Sequence, residues 1–354
     1  MLPSRAFHRM PDVPSPMART DTGRQTITSP HIMLSRTADH LLWMSRYIER
    51  AENTARMLDV NYQTSMLPQS ALQAEQGWAG MLSICELLPA YRAKYGDIQP
   101  DKVITFMAAD ADNPSSIIAC IQASRENARA VRGSLTTEVW ETYNQIWLEA
   151  RRQLREGILQ TDPSAFFEWV KLHSHLARGV ILGTMLLDQS VFFMRLGTFL
   201  ERADNTARLL DVKFHAHLSP EFFASDPEAA NTQEELDFYH WSAILRSVSA
   251  FEIYRRVYRD VITPPRVAEL LMLRHDMPRS LLACMNEVVA NLERIGASVD
   301  ASHSRRLAGR LQADLQYGDI QEILATGLHA YLTHFLERVH AVGLAVSEEF
   351  LQFQ

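Results

Sequence analysis

Lysine is nearly missing from this chain: of its 35 basic residues only Lys94, Lys102, Lys171 and Lys213 are lysine. The arginine excess suits planar, bidentate pairing with carboxylate or phosphate, although a GC-rich coding genome accounts for it more simply. Cysteine is scarce as well. Cys85, Cys120 and Cys284 stand far apart, which excludes a disulfide framework and a paired-cysteine zinc site. There is no basic surplus, the formal net charge being -7, so an electrostatic nucleic-acid binder is excluded. No apolar run reaches the roughly 20 residues needed to cross a bilayer. The leader before Met33 has arginines and prolines but lacks the apolar centre of a secretory signal. A cytoplasmic location and a disordered extension over residues 1–32 are the expectations. Also absent are a Gly-rich phosphate loop, a dinucleotide fingerprint and a Gly-x-Ser-x-Gly elbow, so no cofactor is expected. With 47% apolar residues in 354, the chain can nevertheless bury a large core.

What is present is a repeat. Glu49-Arg50-Ala51-Glu52-Asn53-Thr54-Ala55-Arg56-Met57-Leu58-Asp59-Val60 returns as Glu201-Arg202-Ala203-Asp204-Asn205-Thr206-Ala207-Arg208-Leu209-Leu210-Asp211-Val212, identical at ten of twelve positions. Trp78, Tyr91, Arg92 and Tyr95 match Trp241, Tyr254, Arg255 and Tyr258 at one offset of 163. A third block, Asp112 to Cys120, parallels Asp276 to Cys284, and each Asp is expected to cap a helix with proline in its first turn. Three blocks in one order predict an internal duplication.

Apolar residues recur at three and four spacing, punctuated by prolines, and no alternating strand pattern competes with them. The fold expected is all-α, an internally duplicated pseudo-twofold bundle of roughly a dozen helices. One domain should span residues 33–350, with repeats over about 33–155 and 187–320 and a C-terminal helix. Helices are predicted over 34–65 and 188–217, and another beginning at Pro163 with Asp162 as its cap. The stretch 220–232 reads as the clearest internal loop.

On one arc of the first predicted helix lie Arg46, Glu49, Asn53 and Arg56, with Arg50 beside them; Glu201, Arg202, Asn205 and Arg208 are their counterparts in the second. The pairs Glu52 to Arg56 and Asp204 to Arg208 each stabilise a helix by only about 0.2–0.5 kcal/mol, too little to explain why two copies keep the same side chains. Apolar Leu42 and Val60 flank the azimuth of Glu49, which points to a stripe covered by another helix. A partly buried ion-pair network is the favoured reading. The competing one sets the two stripes across a cleft that grips an amino acid or peptide, with arginines holding carboxylate or phosphate and Glu49 or Glu201 acting as general base.

Other constellations are weaker. A carboxylate-bridged dimetal bundle needs two Glu-x-x-His motifs, and only Glu337 to His340 fits, so no metal is expected. The pair His173 and His175 would point about 200° apart on a helix and cannot share an ion; His215 and His217 face the same obstacle. Trp43, Trp78, Trp241, Tyr91 and Tyr254 read as packing anchors. Cys120 and Cys284 sit in apolar runs and read as buried.

These motifs resemble the bacterial alpha-E family, a helical domain named for its Glu-Arg motif. The resemblance is carried by Leu34-Ser35-Arg36-Thr37-Ala38 with Trp43, Arg46, Tyr47 and Glu49-Arg50-Ala51-Glu52; by Gly183-Thr184-Met185-Leu186 through Leu196-Gly197 to Glu201-Arg202-Ala203-Asp204; and by Ser124 to Arg132. Members of that family are typically encoded beside, or fused to, a circularly permuted ATP-grasp protein of the amide-ligase kind, often with a transglutaminase-like protein nearby. The resemblance therefore implies an accessory or scaffolding subunit in peptide or amino-acid ligation, whose ATP-using partner is a separate chain. The alternative is an enzyme that binds an amino-acid or peptide derivative between the stripes.

Overall fold

Residues 35–65 contain neither proline nor glycine, and their apolar side chains recur at helical spacing, so they form one unbroken helix. This is α1 (Ser35–Ser65), whose 31 residues extend about 46 Å. The computed structural model describes residues 33, 35–66, 71–218, 238, 241–296 and 302–351; the expected extension over 1–32 and the expected loop over 220–232 lie outside them. After α1 come α2 (Ala71–Ile84), α3 (Leu88–Tyr95), α4 (Pro100–Ala108), α5 (Ile117–Ala130), α6 (Thr137–Arg155), α7 (Ile158–Thr161) and α8 (Pro163–Thr184). The chain continues with α9 (Gln189–Leu218), α10 (helical residues 241–247), α11 (Phe251–Tyr258), α12 (Pro264–Met272), α13 (Leu281–Ile295), α14 (His303–Gln316), α15 (Ile320–Thr326) and α16 (Leu328–Val346), and a π-helical turn (Ser347–Leu351) follows. No strand occurs among the described residues, and the fold is all-α. The helices outnumber the expected dozen because short ones such as α3, α4 and α7 are delimited by their own prolines and glycines.

The start of α8 falls at Pro163, where the Asp162 carboxylate accepts from the Ala165 amide at 3.0 Å. The caps expected at Asp112 and Asp276 are different. Ser116 and Ser280 cap α5 and α13, accepting from the amides of Ala119 and Ala283, and Pro114 and Pro278 lie in the preceding turns. Each serine hydroxyl also donates to a backbone carbonyl six residues earlier, that of Asp110 or Arg274. A hydroxyl can donate and accept at once, whereas a carboxylate can only accept, so serine fits this corner better.

α1 and α9 cross at the centre. α5 and α8 pack on α1, while α13 and α16 pack on α9. Matched segments take matched local shapes: the Tyr91 hydroxyl accepts from the Gln99 amide at 3.2 Å and the Tyr254 hydroxyl from the Thr263 amide at 3.1 Å. Trp78, Trp241, Tyr91 and Tyr254 are fully buried anchors of the core. Trp43 is not. It is half-buried, and the Arg46 guanidinium lies 4.6 Å from its ring centroid.

Candidate functional site

Gly197 sets the distance between the two central helices. A β-carbon there would lie 2.3 Å from the Leu42 carbonyl oxygen and 3.2 Å from Arg46 Cγ, so only glycine lets α9 come this close. The close crossing brings both Glu-Arg pairs together, and their partners are exchanged. Arg50 donates to Glu201 through Nε at 2.5 Å and Nη2 at 3.0 Å, while Arg202 donates to Glu49 through Nε at 2.8 Å and Nη2 at 3.0 Å. Both are two-point forks, the geometry in which a guanidinium binds a carboxylate most specifically. Neither arginine pairs with the glutamate beside it in sequence.

On the α1 side the cluster is deeper. Glu49 also accepts from Arg178 at 2.8 Å and Arg279 at 3.1 Å. Glu52, likewise fully buried, accepts from Arg56 at 2.8 Å, Arg178 at 2.5 Å and Arg279 at 2.5 Å. Asn53 Oδ1 accepts from Arg279 at 2.9 Å, and Ser174 donates to Glu52 at 2.8 Å. His175 sits edge-on between two guanidiniums, Arg56 Nη2 at 3.1 Å and Arg178 Nη2 at 2.7 Å. A neutral imidazole can accept from only one of them.

The α9 side repeats this plan with fewer cations. Arg208 donates to Asp204 at 2.8 Å, as Arg56 does to Glu52. Arg56 also reaches Ser249, and Arg208 reaches Glu86. Both acceptors have φ of 56°, an uncommon left-handed conformation for residues other than glycine, and each occupies the turn before the short helix of its half, α3 or α11. Glu201 receives a further bond from Arg46 at 3.0 Å. Beside these groups lies a cavity of about 600 Å³ between α1, α9 and α16, bordered by Trp43, Arg46, Asp204 and Arg208 on one wall and by His340 and Gly343 on the other.

Burial is the largest influence on Glu49 and opposes its charge, yet Arg202, Arg279 and Arg178 together hold its carboxyl at about 2. Glu52 is likewise held well below the ordinary range against burial by Arg279, Arg178 and Arg56, and Glu201 is lowered against burial by Arg46 and Arg50. Burial pulls Arg279 below its ordinary value, with Glu49 and Glu52 opposing the fall and the neighbouring Arg202 and Arg56 adding to it. Because the folded carboxyls lie below their ordinary value of 4.5, the stability they contribute is complete above that pH and is lost as pH falls from 4.5 toward about 2. The urea midpoint should therefore stay level from pH 7 to 5 and drop steeply below 4.5; a midpoint unchanged at pH 3 would contradict the assignment. Burial pushes the thiols of Cys85, Cys120 and Cys284 up to about 12, which removes them as nucleophiles at neutral pH.

Of the nine residues singled out in the sequence, Arg46, Glu49, Arg50, Glu201 and Arg202 meet at the crossing, and Asn53 and Arg56 join the α1-side cluster. Arg208 stands apart with Asp204 and Glu86, and Asn205 is half-buried and makes none of these bonds. The stripes meet in direct contact through the Arg50–Glu201 and Arg202–Glu49 forks, and Arg46, Asp204 and Arg208 border the cavity beside them. Sequence reasoning missed Arg178 and Arg279, and weighed His175 only as a metal ligand. Arg279 had a signal, since it replaces Ser115 within the third matched block; Arg178 had one as a cation beside the apolar face of α8. Among the described residues no group of three or more His, Cys, Asp or Glu is placed to hold a metal.

Uncharacterised proteins of Mycobacterium tuberculosis and Mycobacterium bovis are 25% identical to the chain over 92% of its length, and the chain spans only 37% of theirs. No solved structure matches it significantly. The model of the Alpha-E family, described as a predicted alpha-helical domain with a conserved ER motif, matches residues 33–351, and Glu49-Arg50 and Glu201-Arg202 are the two Glu-Arg pairs whose exchange ties α1 to α9. The chain belongs to the Alpha-E family.

Proposed function

We propose that this protein is a non-catalytic helical subunit that works beside an ATP-grasp amide ligase, and with a transglutaminase-like protein, in the ligation or modification of peptides or amino acids. The observation that carries the non-catalytic part is the saturation of the Glu-Arg carboxylates. A general base works best with a pKa near the operating pH, whereas Glu49 is held at about 2 by three guanidiniums. Such a group orders a scaffold and takes up protons poorly. The greater length of the mycobacterial relatives supports a role in which this fold is one part of a larger apparatus, while the ligase itself is inferred from the family resemblance. The reading places the protein in the cytoplasm, where its three free cysteines stay reduced.

A second reading, an enzyme acting on an amino-acid or peptide derivative, is favoured by the cavity beside Arg46 and Arg208. Affinity purification of the tagged protein from its own cells, followed by mass spectrometry, separates the two. Stoichiometric recovery of an ATP-grasp protein, with turnover seen only when that protein is present, is the expected result. A protein recovered alone that turns over a substrate by itself would overturn the proposal.

A further inference from the structure

The two halves treat one position differently, and the difference coincides with a cavity. α8 lies on α1 as α16 lies on α9. At an offset of 165, the buried residues Pro163, Phe167, Val170, Ser174, Ala177 and Ile181 fall on the buried residues Leu328, Leu332, Phe335, Val339, Val342 and Val346. The same register sets His175 on His340 and Arg178 on Gly343. On the α1 side Arg178 bridges Glu49 and Glu52. On the α9 side their counterparts are Glu201 and Asp204, and glycine leaves the bridging position without a side chain.

The ion pairs record the shortfall. Among the described residues Glu52 pairs with three guanidiniums, those of Arg56, Arg178 and Arg279. Among the described residues its counterpart Asp204 pairs with one guanidinium, that of Arg208, since Gly343 replaces Arg178 and Ser115 replaces Arg279. Glu201 is served by Arg46 and Arg50, and Asp204 holds a two-point fork with Arg208 while 30% of its side chain stays exposed, so the open acceptor positions lie at Asp204. The lining of the same cavity holds three carboxylates, Asp204, Glu86 and Glu337, against two guanidiniums, Arg46 and Arg208, the latter shared by Asp204 and Glu86, and a β-carbon on Gly343 would meet nothing within 4 Å. Trp43 and Leu336 supply an apolar wall along which an aliphatic stem can lie.

We propose that this cavity binds a guanidinium-bearing ligand, whose head group takes against Asp204 the place that Arg178 takes against Glu52. A free guanidino compound and an arginine side chain of a peptide share that chemistry. The site does not depend on the ligase partnership, and its test needs no partner protein.

Calorimetry with agmatine, acetyl-arginine amide and the diamine cadaverine tests the assignment on the full chain. One saturable site for agmatine is expected, with acetyl-arginine amide binding comparably if a peptide side chain is the natural occupant and more weakly if a free compound is. Gly343→Arg supplies the missing side chain from within: it should fold with an unfolding midpoint at or above that of the parent and lose agmatine binding. Asp204→Asn should weaken agmatine binding about tenfold or more, since a hydrogen bond to a charged group is removed. Absence of saturation in the millimolar range, cadaverine binding as tightly as agmatine, or agmatine binding unaffected by Asp204→Asn would overturn the proposal.

Discussion

Glu49→Gln is expected to destabilise the protein by about 3–5 kcal/mol, the cost of leaving buried partner charges uncompensated. The side chain is fully buried, and its carboxylate receives Arg178, Arg202 and Arg279. Glutamine nearly preserves the shape while it removes the charge and presents amide hydrogens toward three donors. Glu201→Gln should cost less, because among the described residues Glu201 receives Arg46 and Arg50, which are 22% and 28% exposed and can turn to water. The order matters more than either value. Chemical unfolding of the two variants should show Glu49→Gln well below Glu201→Gln, and equal losses would refute the asymmetry between the two sides.

Gly197→Ala is the second large effect. Alanine favours a helix over glycine by about 1 kcal/mol, so on propensity alone the variant should gain stability. Its methyl group would meet the Leu42 carbonyl oxygen at 2.3 Å, a backbone atom within α1 that no side-chain rotation relieves. Overpacking typically costs about 1–3 kcal/mol, and here it also pushes apart the helices that carry the exchanged forks. A net loss is expected, read as a lower urea midpoint. Gly343→Ala is the control, because its added methyl group enters open space and should be neutral or stabilising. If Gly197→Ala matches that control, the close crossing is not tight.

Much of the fold is legible in the sequence because local physics decides it. The spacing of apolar residues along 35–65, the proline at 163 after its capping Asp162, and the repeated Glu-Arg segment each specify an element without reference to the rest of the chain. The corners after α4 and α12 are less legible: Asp112 and Ser116 both suit a cap, and what selects Ser116 is its second bond to the Asp110 carbonyl, which only the folded corner reveals.

The site divides in the same way. That the Glu-Arg stripe would be covered follows from Leu42 and Val60 on its azimuth. Which arginine would meet which glutamate does not, since Arg50 is adjacent to Glu49 and pairs with Glu201 across 151 residues. Arg279 reaches Glu49 across 230, and no helical periodicity encodes that contact. Glu337 and His340, set aside as an isolated metal motif, acquire a place on the cavity wall. Gly343 is an ordinary helix glycine until α8 and α16 are laid in register, and then it marks a missing guanidinium.

The central claim is that the two Glu-Arg pairs are exchanged ties between α1 and α9. A double-mutant cycle on Glu49→Gln and Arg202→Met, followed by urea unfolding, measures that tie directly. Residues sharing one ion-pair network couple by about 0.5–3 kcal/mol, and the two-point fork between this pair calls for a value in the upper half of that range. Additive losses, with no coupling between the two substitutions, would contradict the account.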